Sequence, residues 1–176
     1  MNVANLLTIV RIALIPIVGY LFSRAAFDTA ALLFLAACFT DIIDGWIARH
    51  FGAITDFGKI MDPLADKGMQ LTVLVSLAFC GRMPRAAVYV ILAKEFLMCL
   101  GGCLLYKKNI VVAANWWGKA ATVVIAACVL AVLIFYQRMT PTILFIVQWL
   151  PVVAAVGAFI GYFIGFIKRV REGKVT

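Results

Sequence analysis

Long apolar runs separated by short polar breaks make up most of this chain. Six runs stand out, at about Val3 to Phe22, Asp28 to Arg49, Ile60 to Cys80, Pro84 to Tyr106, Trp117 to Tyr136 and Pro141 to Ile167. Each approaches the roughly 20 residues that a helix needs to cross a bilayer. The pattern predicts an all-α fold, a polytopic membrane bundle of six transmembrane helices with short connections. Pro84 and Pro141 suit first-turn positions, and Pro16 and Pro151 predict kinks in the first and last helices. Most runs are apolar all round, so periodicity does not show which face of each helix packs inward.

The polar exceptions are concentrated between Asp41 and Asp66. Asp41, Asp44, Asp62 and Asp66 fall there, flanked on both sides by apolar sequence. A carboxylate at the centre of a spanning helix costs roughly 2.5 to 3.5 kcal/mol on insertion scales, and neighbouring carboxylates repel one another. A positive partner is required. Residues three and four apart share a helix face, so Asp41, Asp44, Gly45 and Ala48 line one stripe and Asp62 and Asp66 line another on the next helix. A short loop with Gly52 and Gly58 folds the second helix back on the first. The result is an oxygen donor set suited to Mg²⁺ or Mn²⁺, whereas zinc asks for nitrogen or sulfur. Four carboxylates on two facing helices can bridge two cations about 3.5 to 4 Å apart, a geometry that serves phosphoryl chemistry. Asp56 lies off both stripes and reads as a cap or loop charge.

Composition agrees with the membrane reading. Hydrophobic residues are 65% of the 176 and charged ones 14%, too apolar for an ordinary soluble fold. The length suits a single domain, residues 1–176. The first run lacks an early basic region and a clean cleavage site, so it reads as a retained helix rather than a signal peptide. The net charge of +8 speaks to orientation and to anionic lipids. No basic stripe on a soluble face points to nucleic acid. The five cysteines sit in or beside apolar runs with no metal or disulfide spacing and read as small hydrophobes.

Lysine and arginine set the sidedness. Arg49, Lys59, Lys67, Lys107, Lys108, Lys119 and the basic C-terminal run fall on the side of the Asp cluster, against Arg24, Arg82, Arg85 and Arg138 on the other. Both termini and the cluster are therefore expected to face the cytoplasm. Inside the first helix, Asn5, Thr8 and Arg11 are spaced by three and drift slowly around one face. Either Arg11 snorkels to the interface, or the stripe faces the acids. Lys94 and Glu95 lie inside the fourth helix as a neighbouring pair. Trp116 and Trp117 read as an interfacial aromatic belt. Gly157, Gly161 and Gly165 form a small-residue ladder for close helix packing, inside the bundle or at a homodimer interface. No P-loop or glycine-rich nucleotide fingerprint is present.

The acidic stretch resembles the signature of the CDP-alcohol phosphatidyltransferase family, D-x-x-D-G-x-x-A-R-x8-G-x-x-x-D-x-x-x-D. Asp41, Asp44, Gly45, Ala48, Arg49, Gly58, Asp62 and Asp66 fill every fixed position. The opening N-L-L-T-x-x-R, with Asn5, Thr8 and Arg11, is similar to the phosphatidylglycerophosphate synthase branch, and Lys119 resembles a Gly-Lys position of lipid-acceptor members; the resemblance implies that Asn5, Thr8, Arg11, Gly58 and Lys119 bind substrate. The resemblance implies an integral membrane enzyme of the bacterial inner or plasma membrane and a CDP-diacylglycerol donor. Two divalent cations, Mg²⁺ or Mn²⁺, are implied at the four aspartates: one on Asp41, Asp44 and Asp62, the other on Asp41, Asp62 and Asp66. It further implies Asp66 as general base, and Arg49, Thr55 and the small residues Gly45 and Ala48 beside the nucleotide. Glycerol 3-phosphate is the favoured acceptor; inositol phosphate, serine, choline or a second phosphatidylglycerol remain open. A cation or proton transporter is the other class that intramembrane carboxylates mark. It would not need Gly45, Ala48 and Arg49 at fixed offsets, and it usually brings inverted repeats or broken helices, which this sequence does not show.

Overall fold

The computed structural model describes the backbone of residues 3–50, 56–107 and 116–171, and the side chains of residues 6–41, 43, 61–101, 116 and 118–165. The elements are α1 (Val3–Ser23), α2 (Phe27–His50), α3 (Asp56–Phe79), α4 (Arg85–Lys107), α5 (Trp116–Phe135), a 3₁₀ turn (Tyr136–Arg138) and α6 (Pro141–Arg171). No strand occurs among the described residues. The fold is all-α, as the apolar pattern predicts. α3 begins at Asp56 rather than Ile60, and α6 runs on to Arg171 rather than Ile167. The helix dipole favours an acid at the first end and bases at the second. Pro63 lies inside α3, so the Asp62–Pro63 pair is not a helix start. Pro84 stands just ahead of α4 and accepts its first bond, from the Val88 amide at 3.2 Å. Thr140 caps α6: its hydroxyl accepts from the Ile143 amide and its carbonyl from that of Leu144, with Pro141 in the first turn.

Three helices are long and apolar enough to cross a membrane among the described residues, over Leu6–Ser23, Gly118–Arg138 and Pro141–Gly165. α2, α3 and α4 are of similar length, at 24, 24 and 23 residues.

The chain divides into two compact units, one of residues 1–82 with 133–136, the other of 83–132 with 137–176. In the first, α1 packs on both α2 and α3. α1 and α3 run parallel, since Thr8 meets Asp62, Arg11 meets Asp66 and Phe22 meets Cys80 in sequence order. A Cβ on Gly68 would stand 2.9 Å from Cδ1 of Ile15, so α1 side chains pack directly over this glycine. The buried face of α2 is Ala30, Ala31, Phe34 and Ala37, while Leu32, Phe39 and Ile43 point outward. Three of these four buried residues are alanines, which let a neighbouring backbone approach closely. On α3 the inward stripe is Ala65, Met69, Val73, Leu74, Leu77 and Ala78.

α1 and α3 end in the same way. The Ala26 amide bonds to the Leu21 carbonyl and the Ala25 amide to that of Phe22; Arg82 and Gly81 repeat the pattern on Leu77 and Ala78. Both are Schellman caps, with Ala25 at φ 55° and Gly81 at φ 71°. Glycine adopts this conformation without penalty, whereas alanine does not. Past the second cap, the Arg82 guanidinium lies 3.4 Å from the centre of the Phe27 ring and donates to the Leu133 carbonyl at 3.5 Å.

In the second unit α4 packs on α6. Ala87, Val88 and Ile91 of α4 and Ala155 and Ala158 of α6 are buried. A Cβ on Gly157 or Gly165 would meet no described atom within 4 Å.

Candidate active site

The site lies in the first unit, where the polar half of α1 meets the end of α2 and the start of α3. Arg11 is 1% exposed. Its Nη1 lies 3.1 Å from Oδ1 of Asp41 on α2 and 2.8 Å from Oδ1 of Asp66 on α3. Thr8, one turn earlier and fully buried, donates from Oγ1 to Oδ1 of Asp62 at 2.5 Å. The spacing of three between Thr8 and Arg11 places both on one α1 face. The spacing of four between Asp62 and Asp66 matches it on the parallel α3. Thr40, just before Asp41, turns its hydroxyl back to the Ala37 carbonyl at 2.8 Å and so satisfies itself within α2.

Arg11 therefore does not snorkel. Its partners are the acids, and their separation in sequence explains why helical spacing could offer this only as one of two options. Asp41 and Asp66 are about two-fifths exposed, at 39% and 40% of the side chain, so the cluster is open to a ligand while Arg11 is not. The guanidinium stands where these oxygens require positive charge. The donors are carboxylate oxygens drawn from two helices, the chemistry that a hard divalent cation accepts. Among the described residues no group of three or more Asp, Glu, His or Cys is arranged as a ready metal site.

The other expected residues are distributed as follows. Asp44, Gly45, Ala48 and Arg49 lie on α2 and Gly58 on α3, but their side chains are outside the described residues, as is that of Asn5 on α1; Thr55 lies outside them entirely. Lys119 belongs to the second unit, exposed on the first turn of α5, with its ammonium 5.9 Å from the Trp116 ring. Lys94 and Glu95 of α4 pair with each other at 2.7 Å. Two residues near the acids were not singled out from the sequence. Gln70, 7% exposed, follows Asp66 by one turn on α3, and Cys38 precedes Asp41 by one turn on α2. The signal for Gln70 was present, since the four-residue step from Asp62 to Asp66 continues to it.

An all-α protein with three membrane-length apolar helices among its described residues, and carboxylates gathered on a buried arginine, is the class that fold and site define. Its sequence matches the family model of CDP-alcohol phosphatidyltransferase over residues 1–160, and the chain belongs to that family. It is 42% identical over 100 residues to a CDP-diacylglycerol–glycerol-3-phosphate 3-phosphatidyltransferase of Rickettsia bellii, covering 55% of each chain. It is 36% identical over 100 residues to a probable phosphatidylglycerophosphate synthase of Mycobacterium tuberculosis, covering 53% of this chain and 48% of that one. A CMP-forming cardiolipin synthase of Rattus norvegicus is 34% identical over 98 residues, 55% of this chain and 32% of that protein. The matched region thus spans about half the length, or less, of these curated relatives.

Proposed function

We infer that the protein transfers a phosphatidyl group from CDP-diacylglycerol to glycerol 3-phosphate, giving phosphatidylglycerophosphate and CMP. The observation that carries the reading is the meeting of Asp41, Asp62 and Asp66 at the polar half of α1, in a chain of this family. Asp41, Asp44, Asp62 and Asp66 would hold two divalent cations, Mg²⁺ or Mn²⁺. When bound, these supply charge stabilisation at the phosphorus oxygens and at the departing CMP. Asp66 takes the proton of the acceptor hydroxyl as its oxygen attacks the phosphatidyl phosphorus. The new P–O bond forms as the bond to CMP breaks. Arg49 offers two parallel donors to a phosphate. Gly45 and Ala48 leave room for the nucleotide beside α2, with Thr55 just ahead of α3 and Gly58 in its first turn. Asn5 and Lys119 are read as contacts to the acceptor and its phosphate.

All six helices are read as spans, with both termini and the cluster on the cytoplasmic side. The bias of basic residues supports this, and a cytoplasmic site suits a nucleotide-linked donor. The basic C-terminal run then meets anionic lipid headgroups. The open side of α6 at Gly157 and Gly165 is read as the seat of a second copy. Absence of any crosslinked dimer from cysteines placed at these two positions, in native membranes, rejects that seat.

Purified protein supplied with Mg²⁺ or Mn²⁺, CDP-diacylglycerol and a panel of alcohols tests the function by CMP release. Glycerol 3-phosphate is expected to be the preferred acceptor. The match to a cardiolipin synthase favours a second reading, with phosphatidylglycerol as acceptor. Preference for phosphatidylglycerol in the same panel would establish it, and no CMP release with any alcohol would reject both.

A further inference from the structure

Arg11 is the largest of the fully buried side chains among the described residues. One of its nitrogens joins two carboxylates that come from different helices, Asp41 of α2 and Asp66 of α3. Without positive charge between them the two acids would repel, and the end of α2 would be driven from the start of α3. The cations of the proposed function, on which this inference rests, would draw on the same two carboxylates. A small divalent ion sits about 2.0 to 2.1 Å from each oxygen it binds. Nη1 is at 2.8 and 3.1 Å from the same two atoms, so ion and guanidinium would crowd and repel each other there.

We propose that Arg11 is a positioning residue that holds Asp41 and Asp66 in place of a divalent cation, and yields their oxygens when the cation binds. The cluster is then kept assembled before loading, and the cation binds against a competitor built into α1. Removing the competitor strengthens cation binding, and removing it without a cation loosens the fold. A merely structural arginine would not link those two effects with opposite signs.

The test uses the full chain in detergent without substrate, as wild type, Arg11→Met and Arg11→Lys. Mn²⁺ binding is followed by loss of the free-ion paramagnetic resonance signal, and thermal unfolding is recorded in EDTA and in saturating Mn²⁺. Arg11→Met is expected to bind Mn²⁺ about tenfold more tightly than wild type, within the usual range of coupling between sites. It should unfold earlier than wild type in EDTA and recover most of the difference in Mn²⁺. Arg11→Lys keeps the charge on a shorter stem and should show a smaller gain in the same direction; it decides the matter if Arg11→Met does not fold. Wild type that binds Mn²⁺ beside folded variants that bind it no more tightly overturns the role of Arg11 alone. Wild type that binds no Mn²⁺ removes the divalent-cation reading and this role with it.

Discussion

Thr8→Val is the most discriminating single change at the site. Valine has nearly the shape of threonine, so the buried α1 face keeps its packing while the hydroxyl is lost. In the structure that hydroxyl donates to Oδ1 of Asp62 at 2.5 Å, and Thr8 is fully buried, so water has no easy route to replace it. A hydrogen bond to a charged group contributes about 1.5 to 3 kcal/mol. If that bond is what fixes the Asp62 carboxylate for catalysis, its loss lowers the rate by about tenfold to a hundredfold, at tenfold per 1.4 kcal/mol. The assay is CMP release at saturating CDP-diacylglycerol across a Mg²⁺ titration, beside a thermal unfolding curve to establish folding. Thr8→Ser retains the hydroxyl and should keep most of the activity. A folded Thr8→Val enzyme that runs within about threefold of wild type at every Mg²⁺ concentration would falsify the claim that Thr8 orients Asp62, since the expected loss exceeds that margin.

Four further substitutions have expected outcomes. Asp66→Asn should abolish CMP release while retaining binding of CDP-diacylglycerol; near-normal turnover would take the proton-accepting role from Asp66. Ala25→Gly should stabilise the protein by about 0.5 to 1 kcal/mol, because alanine at φ 55° bears a steric penalty that glycine lacks. Gly81→Ala should destabilise it by a similar amount, and unfolding midpoints that move the other way would contradict the matched caps. Arg82→Leu should lower the unfolding midpoint by removing the stack on Phe27 and the bond to the Leu133 carbonyl, with a loss of about 1 to 2 kcal/mol; an unchanged midpoint would show that the contact contributes nothing.

Much of this protein was readable from local spacing. The apolar runs located six helices to within a few residues, and the steps of three and four put Asp41 with Asp44 and Asp62 with Asp66. The same spacing pointed to Asn5, Thr8 and Arg11 as a stripe. These features depend on residues one helical turn apart, where geometry is set by the backbone itself. Spacing left open whether Arg11 met lipid headgroups or acids. Its partners lie far along the chain, on α2 and α3, and only the packing of those helices brings them to it.

The chain by itself therefore determined the apolar helical character, the acid stripes and the family signature. The tertiary structure decided that α1 runs parallel to α3, that Thr8 takes Asp62, and that Arg11 joins Asp41 to Asp66. It also decided which sides of the helices are inward, such as Ala30, Phe34 and Ala37 on α2. The reason is physical: a helix apolar on every side has no favoured face until a neighbour of complementary shape supplies one.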